Sequence, residues 1–275
     1  MCKYIIPIHG LSNRINWFAG LYCFNFINPC IFNKEKCVVY MKWTPDKECD
    51  GKFEDIFRIL PNLILVSNDE EVPKEIPVYR GQFPIPNIYS KFNIKIDHNT
   101  ECLIYGFLKF KNEIENISQE FIKNNFSQKT IGLHIRRTDG VNGAKYFGNF
   151  TSDAFFMKII DVELAINKDT KFFLATDNSD TQLFFKNKYP NNIIFFKQID
   201  KKDILRQTTL KEAGIDLCIL SYCHHIEGSF HSAFTRAAIL FNLNRRKEID
   251  KANEELNKYF YRGKNEEYYN PLVKL

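Results

Sequence analysis

The sequence lacks several features that mark whole classes of protein. No stretch approaches the run of about 18 apolar residues that a transmembrane helix needs. The first ten residues contain a short apolar run that Pro7, His9 and Gly10 interrupt, so we predict no secretory signal. Hydrophobic residues make up 44% and charged residues 26% of 275, which excludes collagen-like and largely disordered chains. We therefore expect a cytoplasmic protein of one or two domains.

Two common ligand-binding signatures are also missing. Only 12 residues are glycine, and neither Gly-x-Gly-x-x-Gly nor the Lys-containing phosphate loop occurs, which argues against a nicotinamide dehydrogenase. The 8 cysteines form no Cys-x-x-Cys pair, and we expect them to be reduced thiols. Cys218, Cys223, His224 and His225 leave a metal site open, but buried thiols near a strand end are the favoured interpretation. We predict that no metal is bound.

The charge balance is only mildly basic. Lys and Arg number 38 and Asp and Glu 33, a formal net charge of +5. This excess permits an anionic ligand. Acidic and basic residues are interleaved, as across residues 197–203, so we expect no binding to nucleic acid.

Short apolar runs alternate with helical patterns along the chain, which predicts an α/β fold with parallel sheets. The predicted strands are Tyr4–Ile8, Cys37–Met41, Asn62–Val66, Cys102–Leu108, Thr130–Ile135, Lys171–Thr176 and Asn192–Phe196, with His225–Gly228 as a short strand or turn. One of the predicted helices is Ser152–Asn167, in which Phe155, Phe156, Ile159, Ile160 and Leu164 recur at helical spacing. Residues 67–100 are rich in proline and charge and are predicted to be an irregular connection. Two such series meet near residues 110–130. We therefore predict two Rossmann-like domains, 1–120 and 121–275, the second ending in a helical tail.

Two adjacent arginines follow the predicted strand at 130–135, in the segment from His134 to Asp139. Parallel sheets bind ligands beyond the carboxyl ends of their strands. Successive residues of an extended chain point to opposite faces, so Arg136 and Arg137 cannot both enter one cleft. One is expected to face a phosphate, which the guanidinium fork matches, while the other pairs with Asp139 or a neighbouring helix. The alternative is a cluster of surface salt bridges.

Two further segments place polar residues at strand ends or helix starts. Asp177 follows the strand at 171–176, where Asn178 or Asp180 could instead cap a helix. Ser229 and Ser232 lie beside a glycine at the start of the penultimate helix, a composition suited to an anion cradle of backbone N–H groups. Helix capping is again the alternative.

These segments resemble the motifs of fucosyltransferases. His134-Ile135-Arg136-Arg137-Thr138-Asp139 is similar to their His-x-Arg-Arg-x-Asp motif. Residues 175–178 and 206–236 resemble the second and third motifs, and residues 10–14 are similar to an N-terminal Gly-x-x-Asn-Arg loop. The resemblance is most specific across residues 130–240.

The resemblance implies a GT-B-like fold, with the two Rossmann-like domains facing a central cleft, the first on the acceptor side and the second binding the GDP-sugar. It further implies an inverting glycosyltransferase that moves fucose from GDP-fucose to a hydroxyl of a glycan or related acceptor, with no metal or other cofactor. Arg136 would bind the β-phosphate and stabilise the charge of the leaving group. The expected donor-binding residues are His134, Arg137, Asp177, Asp216, Ser229, Phe230, Ser232, Gly10 and Asn13, with Asp216 binding guanine N–H groups.

The sequence departs from the α-1,6 branch of that family at the proposed base. A Glu follows the motif there, whereas residues 140–145 of this chain contain no carboxylate. His9 is one candidate, because an imidazole ordinarily has a pKa of about 6.5, which suits a general base. Asp139 is the second candidate. A non-catalytic nucleotide-sugar or glycan-binding protein on the same fold remains the alternative.

Overall fold

The computed structural model describes residues 2–27, 38–137, 151–200, 207–230 and 232–256. The chain divides into two compact units, Met1–Asn112 and Glu113–Leu275. Each unit has one four-stranded sheet in which all paired strands run parallel. The predicted α/β class with two Rossmann-like halves is therefore confirmed. The assignment of the first half to the acceptor and the second to the donor stays a prediction.

The first unit is a parallel sheet with the strand order β3-β2-β1-β4. Its strands are β1 (Lys3–Pro7), β2 (Val39–Met41), β3 (Leu63–Leu65) and β4 (Val78–Gly81). Its helices are α1 (Leu11–Ile27), α2 (Phe53–Ile56), α3 (Ile85–Ser90) and α4 (His98–Tyr105). The indole of Trp17 in α1 donates a hydrogen bond to the carbonyl of Tyr79 in β4 at 3.0 Å. The buried ammonium of Lys3 in β1 donates to Leu21 in α1, also at 3.0 Å. These bonds hold α1 against β1 and β4.

Two predictions in this unit were wrong. The run at 102–108 was predicted as a strand but lies mainly in helix α4, which the side chain of Asp97 caps by accepting from the N–H of Thr100 at 2.8 Å. The buried residues of the run fall at helical spacing, and Leu103 between them is exposed. The supposed irregular connection at 67–100 contains strand β4. This edge strand is only four residues long and directly follows Pro77, which an edge tolerates.

The second unit has the strand order β7-β6-β5-β8. Its strands are β5 (Thr130–Ile135), β6 (Lys171–Thr176), β7 (Ile193–Ile194) and β8 (Ile226–Gly228). Its helices are α5 (Asn112–Asn125), α6 (Asp153–Ile166), α7 (Ser179–Lys188), α8 (Leu210–Leu220) and α9 (Ala233–Arg246). Every residue of β5 is buried, as is usual for a central parallel strand covered on both faces. The predicted helical tail lies largely outside the described residues.

Apolar side chains at helical spacing in α6 pack on the centre of this sheet. Phe156, Ile159 and Ile160 are fully buried against Ile131 and Leu133 of β5. The sequence pattern predicted this face of α6, and the prediction is confirmed. Within the described ranges, every helix is too short or too polar to cross a lipid bilayer.

Helix α9 approaches strand β8 so closely at Gly228 that a residue with a side chain would not fit there. A Cβ atom on Gly228 would lie 2.3 Å from Cγ2 and 2.4 Å from Oγ1 of Thr235. Because both contacts are far below van der Waals distance, only glycine fits here. The contact sets the height at which α9 begins above the sheet.

We predict that Gly228→Ala lowers the free energy of unfolding by about 1–3 kcal/mol, the usual cost of overpacking. Urea unfolding measures the change. Gly106→Ala is the matched control, because Gly106 ends α4 in a right-handed conformation with φ −62° that alanine adopts. Its effect should stay within about 0.5 kcal/mol. Equal effects of the two substitutions would contradict the steric role of Gly228.

Candidate functional site

The carboxyl ends of three neighbouring strands meet at one edge of the second sheet. Strands β6, β5 and β8 are adjacent and parallel, so the residues that follow them lie side by side. Those residues are Arg136, Asp177 and Ser229. We call this the carboxyl edge of the second sheet, the region where open parallel sheets bind ligands.

Ser229 connects the end of β8 to the end of β5. Its hydroxyl accepts a hydrogen bond from the backbone N–H of Arg136 at 2.9 Å. Its own N–H donates to the carbonyl of His134, also at 2.9 Å. Ser229 is buried, whereas Arg136 is only partly buried. The position at which the Arg136 side chain leaves the sheet is therefore set by the β8 end.

Arg137 turns away to a neighbouring helix. Its guanidinium donates to Oδ1 of Asp153, the first residue of α6, at 2.5 Å, and to the carbonyl of Arg136 at 3.0 Å. Its backbone N–H donates to Oδ1 of Asp177 at 2.9 Å. The sequence predicted that one of the two arginines pairs with Asp139 or with a neighbouring helix. For Arg137, the observed partner is the helix. Asp177 joins the ends of β5 and β6, and donor contacts of Arg137 and Asp177 stay predictions.

His134 is a buried neutral side chain below the arginines. Its Nδ1 lies 2.7 Å from the hydroxyl of Thr235, and its ring stacks on Phe234 with 4.6 Å between ring centroids. Burial lowers the pKa of His134 to about 3, and the positive charges of Arg136 and Arg137 act in the same direction. His134 therefore positions the start of α9 without adding charge. Its contact with a donor stays a prediction.

Helix α9 begins at this edge with a serine cap. The Ser232 hydroxyl accepts from the N–H of Thr235 at 3.4 Å, and the Ser232 N–H donates to the carbonyl of Ser229 at 3.2 Å. Phe230 between the two serines is buried. The capping alternative is thus observed for Ser232. The N-terminus of α9 is linked through Ser229 to the Arg136 backbone, and its partial positive charge favours an anion.

Helix α7 also starts at the carboxyl edge. Asn178 caps it by accepting from the N–H of Thr181 at 2.8 Å, so the capping interpretation of this residue is confirmed. The hydroxyls of Thr176 and Ser179 are buried here, and neither has a hydrogen-bond partner in the described part of the chain. A buried hydroxyl without a partner is unusual, because an unmade bond costs about 1–3 kcal/mol.

Asp216 lines a recess beside β6. The recess is bounded by Leu174, Gln182, Phe196, Ile199 and Gln207, among others. Burial raises the pKa of Asp216 well above its usual range, and the nearby negative charge of Glu212 adds to the shift. None of the described residues donates a hydrogen bond to its carboxylate. Among the described residues, Asp216 is therefore an acceptor that lacks a donor.

The candidate residues near the N-terminus lie in the first unit. His9 and Gly10 follow β1, and His9 has a left-handed backbone with φ 66°. Asn13, in the first turn of α1, donates to Gln82 at 3.5 Å. The second candidate base, Asp139, lies outside the described residues.

Sequence reasoning missed three side chains that shape these sites. Thr235 and Phe234 hold His134, and Asp153 holds Arg137. Asp153 followed the helix cap Ser152 in the sequence, which predicts its place in the first turn.

In the described ranges, no three His, Cys, Asp or Glu side chains come together in a way that could hold a metal ion. Cys218 and Cys223 are separately buried thiols, and burial raises the pKa of Cys218 to about 12. That the protein binds no metal stays a prediction.

No family model matches the chain, and no curated protein sequence matches it. Solved structures share its fold. NodZ, a fucosyltransferase from Bradyrhizobium, when soaked with GDP-fucose matches with a TM-score of 0.56 and 15% identity over 88% of this chain and 93% of its own. POFUT1 in complex with GDP matches with a TM-score of 0.58 and 11% identity over 88% and 94%. An Arabidopsis thaliana FUT1 variant with GDP matches at 0.53 and 12% over 88% and 69%. The resemblance to fucosyltransferases is confirmed at the level of the fold.

We predict that His134 makes the protein less stable in acid. The unfolded chain binds a proton at an imidazole below a pH of about 6.5, whereas folded His134 stays neutral down to a pH of about 3. The free energy of unfolding therefore falls as pH drops through this window, by at most about 1.4 kcal/mol per pH unit from this group. Urea unfolding at several pH values between 6 and 4.5 gives the free energy of unfolding as a function of pH. That free energy should fall less steeply with decreasing pH for His134→Gln than for the wild type. Identical slopes would contradict the neutral state of His134.

Proposed function

We propose that the chain is an inverting glycosyltransferase that moves fucose from GDP-fucose to a hydroxyl of a glycan or related acceptor without a metal ion. One observation carries the proposal. In a fold shared with fucosyltransferases solved with GDP, Arg136 follows the central strand of the second sheet, and its backbone bonds to Ser229, just before the capped N-terminus of α9. Both features attract an anion of the size of a pyrophosphate.

The proposed phosphate site combines a side chain with a backbone dipole. Arg136 is partly buried, so its charge is weakly screened compared with that of an exposed arginine. Ser229 holds the Arg136 backbone, and Ser232 holds the first turn of α9. The backbone that carries the cation is thus positioned before the ligand arrives, which limits reorganisation during the reaction.

The proposed guanine site is the recess at Asp216. Guanine has two neighbouring donors, N1–H and the N2 amino group, and an ionised carboxylate can accept from both. Such bonds favour the charged carboxylate. They would therefore lower the pKa of Asp216, which burial raises. Uracil, adenine and cytosine lack this pair of adjacent donors. The recess therefore supports selection of GDP over UDP, ADP and CMP.

The proposed chemistry follows from where charge develops. The acceptor oxygen attacks the anomeric carbon from the face opposite GDP, and the bond from that carbon to the β-phosphate oxygen breaks. Negative charge on the pyrophosphate grows as the bond lengthens. Arg136 stabilises that charge more strongly in the transition state than in the ground state, which accelerates the step.

A non-catalytic nucleotide-sugar-binding protein is the second candidate, favoured by the absence of a carboxylate from residues 140–145. Such a protein would bind GDP-fucose tightly and release no GDP. Incubation with GDP-fucose and measurement of GDP over hours separates the two candidates.

We predict that GDP, and not UDP, ADP or CMP, raises the apparent melting temperature, since a ligand bound only to the native state stabilises it. Asp216→Asn should remove the GDP shift. The same substitution should raise the melting temperature of the unliganded protein at pH 7, because it eliminates a buried charge whose pKa is raised. Stabilisation by UDP alone would refute the donor assignment. A GDP shift retained in Asp216→Asn would remove Asp216 from the guanine site.

We predict that Arg136→Ala lowers the rate constant for GDP release from GDP-fucose by about 10²–10³-fold, the usual effect of losing one contact to a developing oxyanion. Arg246→Ala is the control. Arg246 pairs with Glu248 at the far end of α9 and donates to the carbonyl of His224, which precedes β8 at the amino end of that strand. The control should retain the wild-type rate. Activity of Arg136→Ala close to that of the wild type would exclude Arg136 from the mechanism.

A further inference from the structure

The recess at Asp216 contains a second side chain suited to binding a nucleotide base. The proposed guanine site uses Asp216 as an acceptor and leaves guanine O6 without an assigned protein group. Gln207 lines the same recess and, like Asp216, is partly exposed. Its carboxamide has one acceptor oxygen and two N–H donors. Gln207 therefore supplies the kind of donor that a carbonyl oxygen of a base requires.

The start of helix α7 determines which end of the Gln207 carboxamide is the acceptor. The backbone N–H of Ser179 donates to Oε1 of Gln207 at 2.8 Å. A backbone N–H can only donate, so the atom it contacts is the oxygen, and the amide nitrogen lies on the other side of the group. Ser179 is buried in the first turn of α7. The contact with the scaffold therefore orients the carboxamide before a ligand binds.

A capping box joins the segment that carries Gln207 to helix α8, which carries Asp216. The Thr209 hydroxyl accepts from the N–H of Glu212 at 3.2 Å, and the Glu212 carboxylate accepts from the N–H of Thr209 at 2.8 Å. Thr209 follows Gln207 closely, and Asp216 lies one helical turn after Glu212. The donor at Gln207 and the acceptor at Asp216 therefore lie on one continuous, capped segment.

The segment at 197–199, which also lines the recess, is fixed by two helices. The Gln182 carboxamide in α7 donates to the carbonyl of Lys197 at 2.9 Å and accepts from the N–H of Ile199 at 2.9 Å. The ammonium of Lys197 pairs with Glu212 of α8 at 2.6 Å. Since these contacts are made within the protein, this wall of the recess need not be ordered by the ligand, which lowers the cost of binding.

The edge of guanine that would face this recess has donors and an acceptor side by side. N1–H and the N2 amino group are donors, and O6 next to N1 is an acceptor. Adenine has an amino donor where guanine has O6, and its N1 is an acceptor. A site that combines an acceptor with a neighbouring donor is therefore complementary to guanine and mismatched to adenine.

We propose that Gln207 is a specificity-determining residue that donates an N–H of its carboxamide to guanine O6, beside the N1–H and N2 amino group that bind Asp216. This inference rests on the proposed function, because it concerns the base of the same GDP. The Ser179 N–H engages the carboxamide oxygen, so a base in the recess meets the donor end. Adenine is then rejected twice, since its amino group faces the donor of Gln207 and its N1 faces the acceptor of Asp216.

Isothermal titration calorimetry of the full chain with GDP and 6-thio-GDP tests the contact. Sulfur accepts hydrogen bonds more weakly than oxygen, so 6-thio-GDP should bind the wild type about 3–10-fold more weakly than GDP, the usual effect of one neutral hydrogen bond. In Gln207→Met the dissociation constant of GDP should rise by a similar factor. The ratio of the 6-thio-GDP constant to the GDP constant should then fall to about 1, because no donor is left to distinguish oxygen from sulfur.

Inosine diphosphate provides an internal reference in the same titrations. This nucleotide keeps O6 and N1–H and lacks only the N2 amino group, which is assigned to Asp216. The ratio of its dissociation constant to that of GDP should therefore be the same in Gln207→Met as in the wild type. A purely structural loss at Gln207 would distort the whole recess and change both ratios together.

Gln207→Glu separates the donor from the bond to Ser179. A carboxylate still accepts from the Ser179 N–H but cannot donate, so an acceptor would face O6. GDP should bind about 10–10²-fold more weakly, because two acceptors then meet without a proton between them. ADP should gain affinity relative to GDP, since its amino group can donate to the carboxylate.

Gln198→Met is the matched control. Gln198 also lines the recess but is exposed, and no contact with the base is proposed for it. Its ratio of the 6-thio-GDP constant to the GDP constant should equal that of the wild type. A fall in this ratio as large as in Gln207→Met would mean that the ratio follows the general polarity of the recess, which would overturn the assignment to Gln207.

The outcomes separate this inference from the function on which it rests. If the wild type prefers GDP to ADP and UDP but Gln207→Met keeps the wild-type ratio for 6-thio-GDP, the role of Gln207 is overturned and the guanine site stands. The role is also overturned if the ratios for 6-thio-GDP and inosine diphosphate change together. A wild type that binds none of these nucleotides, or that binds UDP more tightly than GDP, overturns the proposed function and the inference with it.

Discussion

The close approach of helix α9 to strand β8 is the contact on which the carboxyl edge of the second sheet depends. Thr235 occupies the space that any side chain at position 228 would need. From that position its hydroxyl reaches Nδ1 of His134, in the neighbouring strand. Ser229, the next residue after the glycine, then meets the backbone of Arg136. One steric constraint thus aligns two strand ends and a helix start within a few ångströms.

Desolvation disfavours the charged form of two side chains in this unit, but their surroundings differ. Burial favours the neutral form of His134. The neutral ring still has a hydrogen-bond partner in the Thr235 hydroxyl and stacks on Phe234. At Asp216 the same effect raises the pKa of a carboxyl to which none of the described residues donates a hydrogen bond. A satisfied neutral group is what a scaffold needs, whereas an unsatisfied acceptor is typical of a binding site.

Adjacent arginines also have different surroundings. Arg137 forms an ion pair with α6, so its charge is used in positioning the strand end. The backbone N–H of Arg136 donates to the Ser229 hydroxyl, and the side chain of Arg136 is partly buried. In the first unit, Arg14 takes a comparable structural role, since its guanidinium is buried and joins three loop groups. Arg14 and Arg137 therefore join separate segments of the structure, whereas a catalytic role is proposed for Arg136.

The pattern of apolar residues predicted most strands and helices because burial of one face requires a fixed period along the chain. It was wrong at residues 102–108, where apolar residues in a short run fit either period and the cap at Asp97 decided for helix. It missed β4, whose four residues form an edge strand too short to show a period.

The sequence by itself determined the α/β class, the position of the polar segments at strand ends and the resemblance to fucosyltransferases. Only the tertiary structure decided which side chains meet. His134 pairs with Thr235 across 101 residues, Arg137 with Asp153 across 16, and His9 with Glu48 across 39. The physical reason is that periodicity reports burial, which is a local property of each element, whereas the partner of a polar group depends on how separate elements pack.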